Sequence, residues 1–516
     1  MLMSIEEKVK ELNEKKNKLK LGGGRAKIDQ QHAQGSLTAR ERIETLLDKD
    51  SFQETGIFAK HRCANFGMAG KELPAEGVVT GAGSVGGRMV HLASQDFTVA
   101  GGSAGEVHSD KIVQAMLGSL KTGTPFVFIN DSGGARIQEG IDSLAGYGKV
   151  FYHNVMLSGV VPQISLICGP CAGGAAYSPA LTDFIIQTAN ARMFITGPSV
   201  IKEATGEEIS AEELGGPLSQ MNRSGVAHFV AENDLVALRI CKKLLSYLPS
   251  NNLEDPPQLE SDDVIVPDKA LNSIIPAEQK KAYDVRNVIT RLIDGGEFLE
   301  VQPLFAANIV VGFARILGRS VGIVANQPSV LAGALDINAS DKGARFVRFC
   351  NAFNIPLVTL VDVPGFLPGV QQEQGGIIRH GAKMLFAYSA ATVPKITVIM
   401  RKAYGGAFLA MCGKELETDR VFAWPSAEIA VMGPQGAVNV IFRNEIAQAE
   451  DPKKKRDELI ASYQGTFAAP YAAAARRDVD DIIEPAETRR HLAMTLDILR
   501  TKREFRPMKK HGLIPL

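Results

Sequence analysis

Two kinds of glycine cluster each occur twice in this 516-residue chain, and the chemistry they could do is main-chain chemistry. The first kind is Ser132-Gly133-Gly134-Ala135-Arg136, with Val363-Pro364-Gly365-Phe366-Leu367 as its counterpart. The second is Ala172-Gly173-Gly174-Ala175, with Tyr404-Gly405-Gly406-Ala407. Each follows an apolar run that reads as a strand and precedes a run that reads as a helix. Glycine at such an exit lets backbone N–H groups turn outward, and a helix N-terminus adds partial positive charge. Two N–H donors converging on one point make an oxyanion hole, so one hole is predicted in each half. Two holes suit two carbonyl partners, an enolate on one and a developing anion on the other, without a side-chain acid or base.

Rival motifs are weaker. Gly101-Gly102-Ser103-Ala104-Gly105 fits the G-x-S-x-G nucleophile elbow, with His91 and His108 near it in sequence. Ser103 falls opposite Ala334 in the repeat described below, outside the duplicated feature, so a serine hydrolase is only the remote alternative. Gly81-Ala82-Gly83-Ser84-Val85-Gly86 fits G-x-G-x-x-G, but the strand-like RMVHLAS follows it, so a hairpin turn is predicted instead of a dinucleotide site. Cys168 and Cys171 form a lone C-x-x-C with no second pair or paired His, and read as buried free thiols; no metal site is expected. Lys453–Arg456 is followed at once by Asp457 and Glu458, a solvated helix face. His380 reads as a hydrogen-bonded structural histidine. Asp131 and Asp362, at equivalent strand ends, read as loop support.

The elements that hold these clusters also come in two sets. Gly87-Arg88-Met89-Val90 matches Gly318-Arg319-Ser320-Val321, Ser109-Asp110-Lys111 matches Ser340-Asp341-Lys342, and PFVFINDSGG (125–134) matches PLVTLVDVPG (356–365), each pair 231 residues apart. VPQISLICGPCAGGA (161–175) then matches VPKITVIMRKAYGGA (393–407) at 232. Length alone suggests about three domains; the repeat predicts two homologous α/β domains from an internal duplication. The polar stretch SNNLEDPPQLESDD (250–263) reads as the linker, placing the domains at 1–258 and 259–516. The first 50 residues read as helices, with Thr38 and Glu41 forming a capping box.

Composition narrows the class. Lys plus Arg and Asp plus Glu number 57 each, so the formal charge is zero and no basic excess marks a nucleic-acid binder. Fifty glycines without a collagen period agree with backbone brought close to something. The N-terminal MLMSIEEKVKELNEKKNKLK has no apolar h-region, and no run reaches about 18 apolar residues, so a cytoplasmic protein without a direct membrane span is expected.

NDSGGARIQEGIDSLAGYGK, SGVVPQISLICGPCAGGAAYSPALTDF, LVDVPGFLPGVQQEQGGIIRHGAKML and VPKITVIMRKAYGGAF resemble the biotin-dependent acyl-CoA carboxyltransferases, and the likeness runs from GGGRAKIDQQHAQGSLTARERIETLLD to KKHGLIPL. That family includes the propionyl-CoA carboxylase β subunit, the methylmalonyl-CoA transcarboxylase subunit and the methylmalonyl-CoA decarboxylase α subunit. The resemblance therefore implies transfer of a carboxyl group between biotin and a short acyl-CoA, with a sodium-pump decarboxylase α subunit running the decarboxylating direction as the alternative. The resemblance implies two tandem crotonase-like domains and a homo-hexamer of stacked trimers. It implies an active site between the N-terminal domain of one subunit, which takes the acyl-CoA, and the C-terminal domain of another, which takes biotin. Biotin would arrive on a separate biotin carboxyl carrier protein, loaded by a biotin carboxylase or another carboxyl-donor subunit, because the chain has no A-M-K-M biotinyl motif.

By matching positions, the N–H groups of Ala135 and Gly174 would hold the oxygen of the coenzyme A thioester as its enolate forms. Those of Phe366 and Gly406, with Ala407 alongside, would hold the biotin ureido oxygen. Gly133, Gly134, Gly173, Tyr147, Gly365 and Gly405 would line the substrates. The chain departs from the carboxylase pattern GGAYD in carrying Leu409 where Asp is usual. An apolar side chain there suits a methyl-bearing substrate such as propionyl- or methylmalonyl-CoA.

Overall fold

A computed structural model describes residues 3–261, 264–279 and 281–515. The chain divides into two compact units, Met1–Glu254 and Asp255–Leu516. The first opens with three helices, α1 (Ile5–Lys20), α2 (Arg25–Ala33) and α3 (Ala39–Leu46). The Thr38 side chain accepts the Glu41 N–H and Glu41 reaches back to the Thr38 N–H, the expected capping box, which starts α3 and aims Ile43 and Leu46 inward.

The sheet of the first unit contains β1 (Gln53–Thr55), β2 (Val78–Val85), β3 (Arg88–Gln95), β4 (Phe126–Ser132), β5 (Gln163–Ala172), β6 (Phe184–Thr188), β7 (Arg192–Phe194) and β8 (Phe229–Ala231). Their order is β1-β2-β3-β4-β5-β6-β8, with β7 paired to the end of β5. β2 and β3 form an antiparallel hairpin around Gly86-Gly87, which disposes of the dinucleotide motif. From β3 onward the pairings are parallel, connected through helices that include α4 (Glu106–Thr122), α5 (Ile141–Leu157) and α6 (Gly174–Ala180). A parallel strand covered on both faces reads as a near-continuous apolar run, and all seven residues of β4 are buried, the polar Asn130, Asp131 and Ser132 among them. Phe126, Phe128, Val78, Met116 and Val150 share one core cluster between β2–β4 and the α4–α5 layer.

The second unit contains β9 (Leu299–Val301), β10 (Ile309–Ile316), β11 (Arg319–Asn326), β12 (Leu357–Val363), β13 (Lys395–Tyr404), β14 (Arg420–Ala423), β15 (Glu428–Ala430) and β16 (Asp481–Ile482). Read from β9, the order is β9-β10-β11-β12-β13-β14-β16, with β15 paired to the end of β13. Strand for strand this is the order, hairpin and parallel run of the first unit. Its core gathers Val310, Val321, Ile323, Val358, Leu360, Ile396, Val398 and Trp424.

Candidate active site

Both glycine clusters of the first unit leave the sheet side by side. β4 pairs with β5 in simple register to Asn130–Ile167, and then Ser132 pairs with Cys171, so β5 carries two extra residues just before its end. Beyond β4 the chain makes one isolated parallel bridge, between Ala104 and Ala135. Its two bonds are Ala104 N–H to Gly134 O and Arg136 N–H to Ala104 O, both 2.9 Å. Neither uses the Ala135 N–H, which faces away from that bridge. A Cβ built on Gly134 would lie 3.0 Å from Ala172 O, so this turn lies against the exit of β5. There Gly173, at φ 62° and ψ −128°, turns the chain into α6, whose first residue is Gly174. First-turn N–H groups have no intrahelical acceptor, so the Gly174 N–H is presented as well.

The second unit repeats each step. Val361 pairs with Ile399 and then Val363 with Ala403, a two-residue excess at the same place. Leu335 and Phe366 form the isolated bridge, through Leu335 N–H to Gly365 O at 3.1 Å and Leu367 N–H to Leu335 O at 2.8 Å, leaving the Phe366 N–H unused by it. Gly405, at φ 59°, begins the helix Gly405–Ala410, with Gly406 and Ala407 in its first turn. Paired outward N–H groups of this kind can stabilise an oxygen that gains negative charge.

Charged side chains are buried beneath these turns. Arg42 on α3 donates from Nη1 to Asp131 at 2.8 Å, from Nε to Asp234 at 2.7 Å and from Nη2 to Cys168 O at 3.3 Å. Arg136, next to Ala135, donates to Glu76 and Glu139, both at 2.7 Å, and to Ser103 O at 2.9 Å. In the second unit Arg401 Nε donates to Asp362 at 2.9 Å, and Tyr283 Oη donates to the same carboxylate at 2.9 Å. Burial pushes the carboxyls of Asp131 and Asp362 above their ordinary range, against the downward pull of Arg42 and Arg401. Burial, with Arg136 and Lys111 adding repulsion, pushes His108 down to about 3.

Other expected residues have mixed placements. Gly133 N–H is taken by Gly101 O, and Gly134 N–H by Ser132 Oγ. Tyr147 is buried at 6% exposure with its ring 3.4 Å from where a Gly174 Cβ would sit, so it backs the Gly174 turn from inside. The Phe366 ring lies 2.9 Å from a Cβ built on Gly381, a position that must stay small. Gly365 has open space around it, Ala407 is buried, and Leu409 is 37% exposed on the helix begun by Gly405.

The rivals do not assemble. Ser103 Oγ donates to Ala100 O at 2.9 Å, while His108 bonds Glu76 O and Gln95 and His91 bonds Thr124, so no Ser–His pair forms. Cys168 and Cys171 are buried and free. His380 pairs with Asp341 at 2.8 Å, and Lys453–Arg456 lie on the helix Pro452–Tyr463, which has no buried residue. Arg42, Arg136, Glu76 and Arg401 were not foreseen from sequence. Arg136 stands inside a motif already singled out, but its partner Glu76 is 60 residues away and Arg42 is 89 from Asp131, so no local spacing reports either pair.

A hairpin leading into a parallel sheet, covered by helices and ending in glycine-led strand exits, defines a crotonase-like unit, and here it is present twice. The match to known proteins is correspondingly long. The chain belongs to the carboxyl transferase domain family, whose model matches residues 30–514. It is 61% identical over 512 residues to the methylmalonyl-CoA carboxyltransferase 12S subunit of Propionibacterium freudenreichii subsp. shermanii, covering 99% of this chain and 98% of that one. It is 57% identical over 517 residues to the methylmalonyl-CoA decarboxylase subunit alpha of Veillonella parvula, with full coverage of both. Among solved structures, transcarboxylase 12S, crystallised as a hexamer with methylmalonyl-coenzyme A and methylmalonic acid bound, superposes with a TM-score of 0.98 at 61% identity, covering 100% of this chain and 99% of that one.

Proposed function

We propose that this chain is the carboxyltransferase subunit that moves a carboxyl group between biotin on a carrier protein and propionyl- or methylmalonyl-CoA. The observation that carries the reading is the repeated exit geometry: in each unit an isolated bridge leaves one N–H unused, at Ala135 and Phe366, beside a first-turn N–H at Gly174 and Gly406. On the acyl-CoA side, Ala135 and Gly174 donate to the thioester oxygen and hold its charge as the α-carbon loses a proton. On the other side, the donors of Phe366 and Gly406, with Ala407 alongside, fit a ureido oxygen, which is a neutral acceptor that gains charge. Biotin on its carrier, when bound, supplies the carboxyl group and the basic nitrogen that the transfer requires. Each donor contributes on the order of 2.7–4 kcal/mol to lowering the barrier. The first unit is then the acyl-CoA domain and the second the biotin domain, in a homo-hexamer where each site draws on two subunits.

Among the described residues no helix is long and apolar enough to cross a membrane; we place the enzyme in the cytoplasm. The full-length likeness to a methylmalonyl-CoA decarboxylase α subunit supports a second physiological direction, in which the same site removes the carboxyl group; a sodium-pumping complex is the assembly we propose for that direction. Partner proteins distinguish the two: recovery of the native complex, probed for biotin, yields a biotin carboxylase or other donor subunit in one case and a multi-span membrane subunit in the other. The site itself is tested with biotinylated carrier and methylmalonyl-CoA. Wild-type protein should produce propionyl-CoA, and Gly174→Val and Gly406→Val should not; two folded variants with wild-type rates would refute the assignment.

A further inference from the structure

The same irregularity lies at the root of both strand exits, and in each unit a buried carboxylate fills it. The register jumps at Asp131 between β4 and β5, and at Asp362 between β12 and β13. A bulge leaves ladder groups unpaired and lets two strand ends shift against each other. Each carboxylate sits within its bulge: a Cβ on Gly169 would lie 2.0 Å from Asp131 Oδ1, and Lys402 N–H donates to Asp362 Oδ1 at 3.2 Å.

Each carboxylate is also bound by an arginine that touches the bulge. Arg42 bridges Asp131 to the bulge carbonyl of Cys168. Arg401 is itself a bulge residue of β13. The two arginines come from unrelated places: Arg42 from α3, and Arg401 from the position that the repeat occupies with Gly169 in the first unit. The pair is kept while its origin changes. Stability is a poor reason for that, since buried ion pairs are often replaceable by apolar residues without loss.

We infer that Asp131 with Arg42, and Asp362 with Arg401, are positioning residues, each pair fixing the offset between two neighbouring strand exits and so the spacing of the N–H donors above it. This rests on the reading of Ala135, Gly174, Phe366 and Gly406 as the donors. The two pins act on different substrates, Asp131 on the acyl-CoA and Asp362 on the biotin side. Asp131→Asn is a mild perturbation, because Arg42 keeps Asp234. In Asp362→Asn, Arg401 keeps the Lys281 carbonyl and the face of the Tyr283 ring.

The test uses the assembled enzyme with biotinylated carrier. It measures kcat for transfer, Kd for propionyl-CoA, and Kd for a CoA thioether bearing a nitroalkyl group, whose nitronate mimics the enolate. Asp131→Asn should lower kcat by about 10–100-fold and cut the preference for nitronate over propionyl-CoA by a similar factor, with propionyl-CoA Kd within about threefold. Asp362→Asn should lower kcat while leaving both CoA affinities in place. A role confined to stability would not move the nitronate preference. The inference is overturned if Asp131→Asn folds with an unchanged nitronate preference, or if Asp362→Asn cuts that preference as Asp131→Asn does. If Asp131→Asn does not fold, Arg42→Lys, which loses the planar fork that spans three acceptors, decides by the same preference. Gly173→Ala, measured alongside, separates the two layers. If it also leaves the preference unchanged, the donor assignment falls; if it alone abolishes the preference, only the positioning role does.

Discussion

Gly173→Ala isolates the orientation of one donor from everything else in the site. The Gly174 N–H belongs to the 173–174 peptide, and the ψ of Gly173 sets where that peptide points. Gly173 stands at φ 62° and ψ −128°, which side chains avoid, yet an added Cβ would meet nothing closer than Ile195 O at 3.9 Å. The cost of alanine is therefore conformational and not steric, about 1–3 kcal/mol of local strain. The chain relieves that strain by rotating ψ, which turns the donor off its target. Losing one donor of an oxyanion hole costs on the order of 2.7–4 kcal/mol in the barrier, or about 10²–10³ in kcat. The control is Gly174→Ala: its φ is ordinary and its Cβ would rest 3.4 Å from the Tyr147 ring, so its kcat should change by less than about tenfold. The assay is carboxyl transfer from methylmalonyl-CoA to biotinylated carrier, with thermal melting for fold. A folded Gly173→Ala enzyme within about threefold of wild-type kcat would show that the Gly174 N–H does not stabilise the oxyanion.

Other consequences can be measured on the same preparation. Gly405→Ala should harm transfer at least as much, since its Cβ at φ 59° would also meet Val431 O at 3.0 Å; it should leave propionyl-CoA affinity in place, as calorimetry would show. Leu409→Asp should shift the ratio of propionyl- to acetyl-CoA carboxylation toward acetyl-CoA, and identical ratios in both proteins would remove Leu409 from the acyl pocket. His108 is held neutral down to about pH 3 in the folded chain but takes a proton near 6.5 when unfolded. The unfolded state thus binds more protons between those values, and stability falls as pH drops through that window, by at most about 1.4 kcal/mol per pH unit. Denaturant melts of wild type and His108→Gln from pH 7 to 4 should show a shallower acid limb in the variant.

The fold was legible where local pattern and repetition agreed. PFVFIND and PLVTLVD are mostly apolar runs ending in a turn, and they fall on β4 and β12. The hairpin at Gly86-Gly87 followed from strand-like runs on both sides of it. The strand exits were legible because the positive φ at 173 and 405 favours glycine, and the chain spells that requirement twice. The machinery beneath was not. Arg42 meets Asp131 only after α3 folds across the first unit, and Arg401 fills in β13 a position that the repeat gives to glycine in β5, so aligning the halves hides the pair. Tyr147 is expected from its motif to line the substrate, and its ring is buried behind Gly174. Side-chain direction on α5 depends on packing that no spacing reveals.

Main-chain donors at four repeated positions carry the chemistry we propose. The most direct measurement is a crystal structure of the enzyme with the nitroalkyl CoA thioether bound as its nitronate. A nitronate oxygen should lie within hydrogen-bond distance, about 2.7–3.1 Å, of both the Ala135 and the Gly174 nitrogens. An oxygen held instead by side chains, or lying beyond reach of these two N–H groups, would contradict it.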